Sequence, residues 1–422
     1  MEENMKKIMV FHPGQQHSYR LATALNKAGL LGCYCTTVYN KPASLTRQII
    51  PILKGDTKIR AEARHCDGFS DDQVIQFGEF LGLLTILFDK LKMNRLGRYW
   101  NQFVNDYCGK KAAKYAIKHG YDCVISYNNN SKSVFEYLSK YAPKIIRIMD
   151  ASAANVLYMK NIYERDMELA PEFKNLLIQE RGILWDKRYQ NRINAENKLA
   201  QYILAGSEFV KKSYVEEGYP ERNIYVCRYG VDISTFCQKE KSSYSGERPL
   251  ECVFVGGTKE LKGVSHMLEA FKMIPNDKAR LTIIGKNTLS KEMQARYEDN
   301  VTFTGSILHN QVAKTLREMD IMIFPSLGEG FSLALVEGLA TGLPVIASEN
   351  SGSSELIKDG WNGFVIPIQN KDEIRDKVLY FVNNSEKVTY MSINARFSVL
   401  SLTWEDYYHN VIHSIKEIAY GM

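Results

Sequence analysis

FPSLGEGFSLALVEGLATGLPVIASE, residues 324–349, is the stretch on which the fold turns. It follows directly on the apolar run DIMIFPS (Asp320–Ser326), which reads as a strand that Pro325 and Gly328 break. A helix is expected from Ser332, an acceptable N-cap, to TGLP, where Gly342 and Pro344 stop it before the apolar strand PVIAS. A strand, a helix and a second strand at this spacing imply a right-handed crossover in a parallel sheet.

The expected helix has Leu333, Ala334, Leu335, Val336, Leu339 and Ala340 at nearly every azimuth, so it should be buried on most sides. Within this apolar setting stand two carboxylates, Glu329 and Glu337, and such groups are seldom buried without a partner. Two readings are open. Glu337 pairs with a core arginine while Glu329 caps a turn, or a ligand meets them both. The two vicinal hydroxyls of a ribose suit Glu337, each donating one charge-assisted hydrogen bond. Glu329 lies at the helix mouth, where the N–H groups of Gly330 and Phe331 suit an anionic or hydroxyl-rich ligand.

Outward from this stretch, strand-like runs alternate with helical patterns along the chain. KIMVF (7–11) precedes HPGQQHS and the helix YRLATALNKAG, closed by Gly29; CVISY (123–127) and KIIRIMD, ending at Asp150, follow. Residues 155–200 are long, charged and helical, as expected of an insertion on the first sheet. A second series begins near QYILAGS (201–207) and continues through ECVFVGG, ARLTIIG, NVTFTGS, DIMIFPS and LPVIASE. The polar segment KEKSSYSGERP (239–249) reads as a surface connection. Two doubly wound α/β domains are therefore expected, at 1–203 and 204–402, with ligands bound in a cleft between them.

The composition bounds the class. The chain has 422 residues, 45% hydrophobic and 24% charged, as in soluble globular proteins of more than one domain. The longest apolar run, FLGLLTILF (80–88), is too short for a bilayer span, and the start reads as a strand with no secretory leader. The eight cysteines have no CxxC spacing, so reduced thiols and a cytoplasmic location are expected; no metal-ligand spacing occurs.

The net charge of +6 is uneven: residues 1–200 hold 30 basic against 20 acidic side chains, the remainder 24 against 28. Lys90, Lys92, Arg95, Arg98, Lys110, Lys111, Lys114 and Lys118 form a run broken by one acid, Asp106. It is either a solvated helical face or a surface for anionic lipid or an acidic acceptor. No nucleic-acid recognition module accompanies it. The loop VFHPGQQHS lacks the GxGxxG that a Rossmann dehydrogenase carries after its first strand.

Residues 324–348 resemble the signature of retaining glycosyltransferases of family 4, which have the GT-B fold. GSEFVKKSYVEEGYPERNIYVCRYGVDISTF, VFVGGTKELKG and SGSSELIKDGWNGFVIP resemble further stretches of that family, and together the likeness runs over about 206–363. The N-terminal half is similar only in the order of its elements. The resemblance implies transfer of a sugar from a nucleoside diphosphate sugar to a saccharide or lipid-linked acceptor, with retention of configuration. It implies no metal and no cofactor beyond the donor. It also implies that a last helix, WEDYYHNVIHSIKEIA within 403–422, crosses back onto the N-terminal domain.

Residue roles come with the resemblance. Glu337 is similar to the family's ribose-binding glutamate, and Glu329 to the one that holds hydroxyls of the transferred sugar, with Gly330 and Phe331 assisting. Lys262 matches the lysine that neutralises the diphosphate leaving group, where bond breakage builds negative charge. Gly256, Leu333 and Ile307 fall at nucleotide-contacting positions, Ile307 where the backbone reads the base. Gly14 falls in the glycine loop against phosphates or sugar. Asp150 stands where the family often has a His-Asp pair near the sugar, with Met149 replacing the histidine. One departure is Gly257, where the family usually has an arginine on the phosphates; Lys259 is placed to reach in instead. The competing readings are a GT-B epimerase or phosphorylase, and a catalytically weak GT-B protein that binds a nucleotide sugar or a partner.

Overall fold

A computed structural model describes residues 7–15, 17–91, 93–238 and 244–420. Among these residues seven strands make the first sheet: β1 (Ile8–Phe11), β2 (Leu31–Thr36), β3 (Val74–Gln76), β4 (Cys123–Tyr127), β5 (Ile146–Ala151), β6 (Tyr202–Ala205) and β7 (Ile224–Val226). Their order is β3-β2-β1-β4-β5-β6-β7. Six make the second: β8 (Leu250–Val255), β9 (Ala279–Ile284), β10 (Val301–Gly305), β11 (Ile321–Phe324), β12 (Val345–Ser348) and β13 (Gly363–Ile366), in the order β10-β9-β8-β11-β12-β13. Every pairing is parallel, and β1, β4, β11 and β12 are buried along their whole length. Covered on both faces by helices, such strands read as continuous apolar runs. In both sheets the strand order reverses beside the first strand, which opens a crevice at the strands' carboxyl ends.

The domain boundary differs from the expected 203/204. Ile203, Leu204 and Ala205 of β6 pair with Met149, Asp150 and Ala151 of β5, and β7 pairs in turn with β6. The second domain thus begins between Val226 and Leu250. Periodicity marks QYILAGS as a strand but carries no information about which sheet it joins. The expected insertion is present as helices Val156–Leu169, Lys174–Arg181 and Lys187–Leu199. Of the segment 239–249, residues 239–243 lie outside the described residues.

The terminal helix Trp404–Tyr420 packs on the first domain's helix Ser18–Lys27, as expected. Tyr407, Val411 and Ile415 on it are at most 2% exposed, Arg20 donates to the Tyr408 hydroxyl at 3.1 Å, and Lys27 pairs with Glu405. The chain arrives past Gly230, where a Cβ would stand 2.3 Å from the Thr403–Trp404 backbone, so only glycine fits.

FLGLLTILF forms most of the helix Glu79–Lys90, yet Gly82 is its one fully buried residue and Phe80 is 62% exposed. On the next helix, Asn94–Lys118, exposed Leu96, Tyr99, Phe103 and Tyr107 follow one another at helical spacing. The same stripe runs on as exposed Lys110, Lys111, Lys114 and Lys118. The side chains of Lys92 and Arg95 lie outside the described residues. No helix among the described residues is long and apolar enough to cross a membrane.

Candidate active site

The helix Leu333–Ala340 starts where expected: the Ser332 hydroxyl accepts from the Leu335 N–H at 3.2 Å. It ends at Gly342, whose φ of +78° suits glycine. Ahead of it the loop after β11 holds Glu329, whose backbone N–H donates to the Asn350 carbonyl at 2.9 Å. Across from this loop, the turn Glu260–Lys262 presents Lys262, and its ammonium forms an ion pair with the Glu329 carboxylate. Gly263 closes that turn with φ +69°; a Cβ there would meet the Pro325 carbonyl oxygen at 2.0 Å. Two loops at the carboxyl edge of the second sheet thus meet, a cation on one and a carboxylate on the other. The pair is partly exposed, at 19% and 26%.

Glu337 is 15% exposed and accepts from His309 Nε2 at 3.1 Å. Burial pushes its carboxyl above the ordinary glutamate range, and His309 pulls it part of the way back. Among the described residues no arginine pairs with it, which removes the core-arginine reading. His309 escaped the sequence reading; it opens the helix two residues after Ile307, and nothing in its neighbours ties it to a carboxylate 28 residues on. Ile307 is half-buried against the hydrophobic core, and Leu333, at the first turn of its helix, is 38% exposed.

The first domain meets this edge directly. A Cβ on Gly330 would stand 1.7 Å from the Ser152 carbonyl oxygen, so glycine lets this loop seat against the first domain. The Gly330 carbonyl accepts from the Ser207 hydroxyl at 2.5 Å. Phe331 is buried edge-on to Tyr229 at 5.7 Å. The Tyr229 hydroxyl lies 3.0 Å from His17 Nε2, and the same nitrogen lies 3.0 Å from Asp150 Oδ2. The histidine that Met149 does not supply beside Asp150 therefore arrives from the loop after β1.

Other expected residues stand apart. Gly14 is at the mouth of the first domain, but its N–H donates to His12 Nδ1 at 2.8 Å. Gly256 follows β8 directly, with its N–H on the Ile284 carbonyl at 2.8 Å. At Gly257 a Cβ would come 3.2 Å from the Lys286 carbonyl oxygen, a tight fit for any side chain. Lys259 is exposed, and its charge acts on Glu180 of the insertion. Glu180 accepts from the Leu261 N–H at 3.4 Å and is pushed up by burial.

Comparison with known proteins follows the same division. Residues 238–397 match the family model "Glycosyl transferases group 1". Through this second domain the chain resembles the glycosyl transferases group 1 family, and its two Rossmann-like domains have the GT-B fold. The amylovoran biosynthesis glycosyltransferase AmsK of Erwinia amylovora is 30% identical over 204 residues, 45% of this chain and 49% of that protein. An Escherichia coli UDP-Gal:α-D-GlcNAc-diphosphoundecaprenol α-1,3-galactosyltransferase is 26% identical over 46% of this chain and 52% of its own length. The chain spans about half the length of these curated relatives. The structure of Anabaena HepE in complex with UDP-glucose superposes over 98% of this chain and all of that one, with a TM-score of 0.62 at 15% identity.

Proposed function

We propose that this chain is a retaining glycosyltransferase. It moves a sugar from a nucleoside diphosphate sugar to a saccharide or lipid-linked acceptor in the synthesis of a cell-surface polysaccharide or glycolipid. The observation that carries the reading is the Lys262–Glu329 pair at the edge of the second sheet, with the partly buried Glu337 on the helix that follows. Lys262 meets the charge that grows on the β-phosphate as the glycosidic bond breaks, and Glu329, released from it, takes hydroxyls of the donor sugar. Glu337 accepts from the ribose hydroxyls. The departing phosphate oxygen takes the acceptor's proton on the same face, and this scheme calls on no metal or cofactor. As a glycosidase pair these glutamates would have to flank one bond, but one is ion-paired at a loop and the other bonded to His309.

The relatives support the substrate class: AmsK is named for amylovoran biosynthesis, and the E. coli relative for an acceptor on diphosphoundecaprenol. A lipid-linked acceptor fits the apolar stripe Leu96–Tyr107 and its continuation into lysines, which suit the inner, anionic face of a membrane. A panel of UDP-, GDP- and ADP-sugars tests the reading by thermal shift and donor hydrolysis. One base family should stabilise the protein and be hydrolysed slowly; stabilisation without turnover, with any acceptor tried, would favour a nucleotide-sugar-binding module.

A further inference from the structure

Behind the Glu260–Lys262 turn, three buried side chains from the two domains converge. Asp166 belongs to the insertion helix Val156–Leu169 and is 1% exposed; Glu260 is 0% exposed; His266, on the helix Val264–Lys272, is 7% exposed. One ligand-type atom from each lies within 4.8 Å of the other two. His266 Nε2 stands 2.8 Å from Asp166 Oδ1. That is near the ~3 Å between neighbouring ligands at right angles on an ion with bonds of about 2.1 Å.

The usual roles leave the group incomplete. The Glu260 carboxylate accepts from the Ser265 hydroxyl and N–H, as an N-terminal cap of its helix. Asp166 Oδ1 accepts from His266 and, at 3.3 Å, from Gln369 Nε2. Asp166 Oδ2 is buried and accepts no hydrogen bond among the described residues. Two carboxylates thus share one buried site, and among the described residues no lysine or arginine pairs with either of them. A cleft of about 600 Å³, lined by Phe173, His266, Glu269, Gln369 and Asp372, leads from solvent to His266.

We propose that Asp166, Glu260 and His266 bind a first-row divalent cation that staples the insertion of the first domain to the turn carrying Lys262. Two carboxylate oxygens and one imidazole nitrogen suit manganese, iron or zinc. A charge of +2 neutralises the two carboxylates, and the unmatched Asp166 oxygen gains a partner. The ion is a positioning element: it fixes the loop two residues before Lys262 and takes no part in transfer. The sequence conceals this site because Asp166 and His266 stand 100 residues apart with no ligand-type spacing between them.

The test uses the full chain, stripped with chelator and titrated separately with ZnCl2 and MnCl2, followed by calorimetry and thermal melting. One ion per chain should bind and raise Tm, and both effects should be lost in Asp166→Asn and His266→Ala. Cobalt(II) on the wild type gives a visible absorption band that does not depend on any variant folding, and zinc should compete it away. Absence of saturable binding in the wild type overturns the proposal, as does binding of equal strength in Asp166→Asn. If Asp166→Asn raises Tm and no ion has any effect, a proton shared between the carboxylates holds the site instead.

Discussion

Replacing Glu337 with alanine tests the proposed ribose contact. The side chain is 15% exposed and bonded to His309, which is itself 68% exposed. Truncation therefore leaves no buried orphan, because His309 turns to water. What is lost on the nucleotide side is two hydrogen bonds to a charged acceptor, each worth roughly 1.5–3 kcal/mol. Discounted for the water that replaces them, the loss should be about 2–4 kcal/mol, or roughly 30- to 1000-fold in Kd for the nucleoside diphosphate. Calorimetric titration with the ribose and the 2′-deoxy nucleotide completes a cycle: wild type should prefer the ribose form, and Glu337→Ala should show no preference. An unchanged Kd, or a ribose preference surviving in the variant, refutes the assignment. The free protein should respond in the opposite direction. Because the folded-state carboxyl is raised by burial, the folded chain holds this proton more tightly than the unfolded one. The Glu337 contribution to stability therefore falls as pH rises through the window above the ordinary glutamate value, and Glu337→Gln should raise Tm at neutral pH while weakening the nucleotide.

Glu329→Ala should leave the Kd of the bare nucleoside diphosphate within a few fold and lower transfer by about 100-fold or more, measured as kcat with a saturating donor. Removal of residues 404–422 uncovers the surface beneath Tyr407, Val411, Ile415 and Ile418; at roughly 1.5–3 kcal/mol for each buried side chain the loss rivals the whole net stability, so the truncated chain should be insoluble or bind a hydrophobic dye. A soluble, fully active truncation would contradict that packing. Changing Lys110, Lys111 and Lys114 to glutamate should abolish sedimentation with anionic vesicles, which in the wild type should be reversed by salt and absent with neutral vesicles. If the wild type also stays in the supernatant at low salt, a soluble acceptor is favoured.

The second domain was legible because its site is local. Ser332, Gly342 and Pro344 fix the ends of one helix through backbone chemistry, and Glu329 and Glu337 stand out as carboxylates in apolar surroundings. Contacts between distant segments were not legible. His309 beneath Glu337, His17 beside Asp150, and β6 in the first sheet are each decided by tertiary pairing, which leaves no mark in local periodicity. The helices over 79–118 show a different limit: an apolar run such as Phe80–Phe88 reads the same whether its face is core or exposed, and only the fold tells Phe80 from Phe11.

The central claim is that Lys262 and Glu329 form the centre of a retaining sugar transfer. The direct measurement follows donor consumption and product anomer by proton NMR, with the donor that stabilises the protein, for wild type and Lys262→Met. Wild type should release the nucleoside diphosphate and give a product of the donor's own anomeric configuration, while Lys262→Met should bind the free nucleoside and turn over at least about 100-fold more slowly. A product of inverted configuration, or a Lys262→Met protein as fast as wild type, would contradict the account.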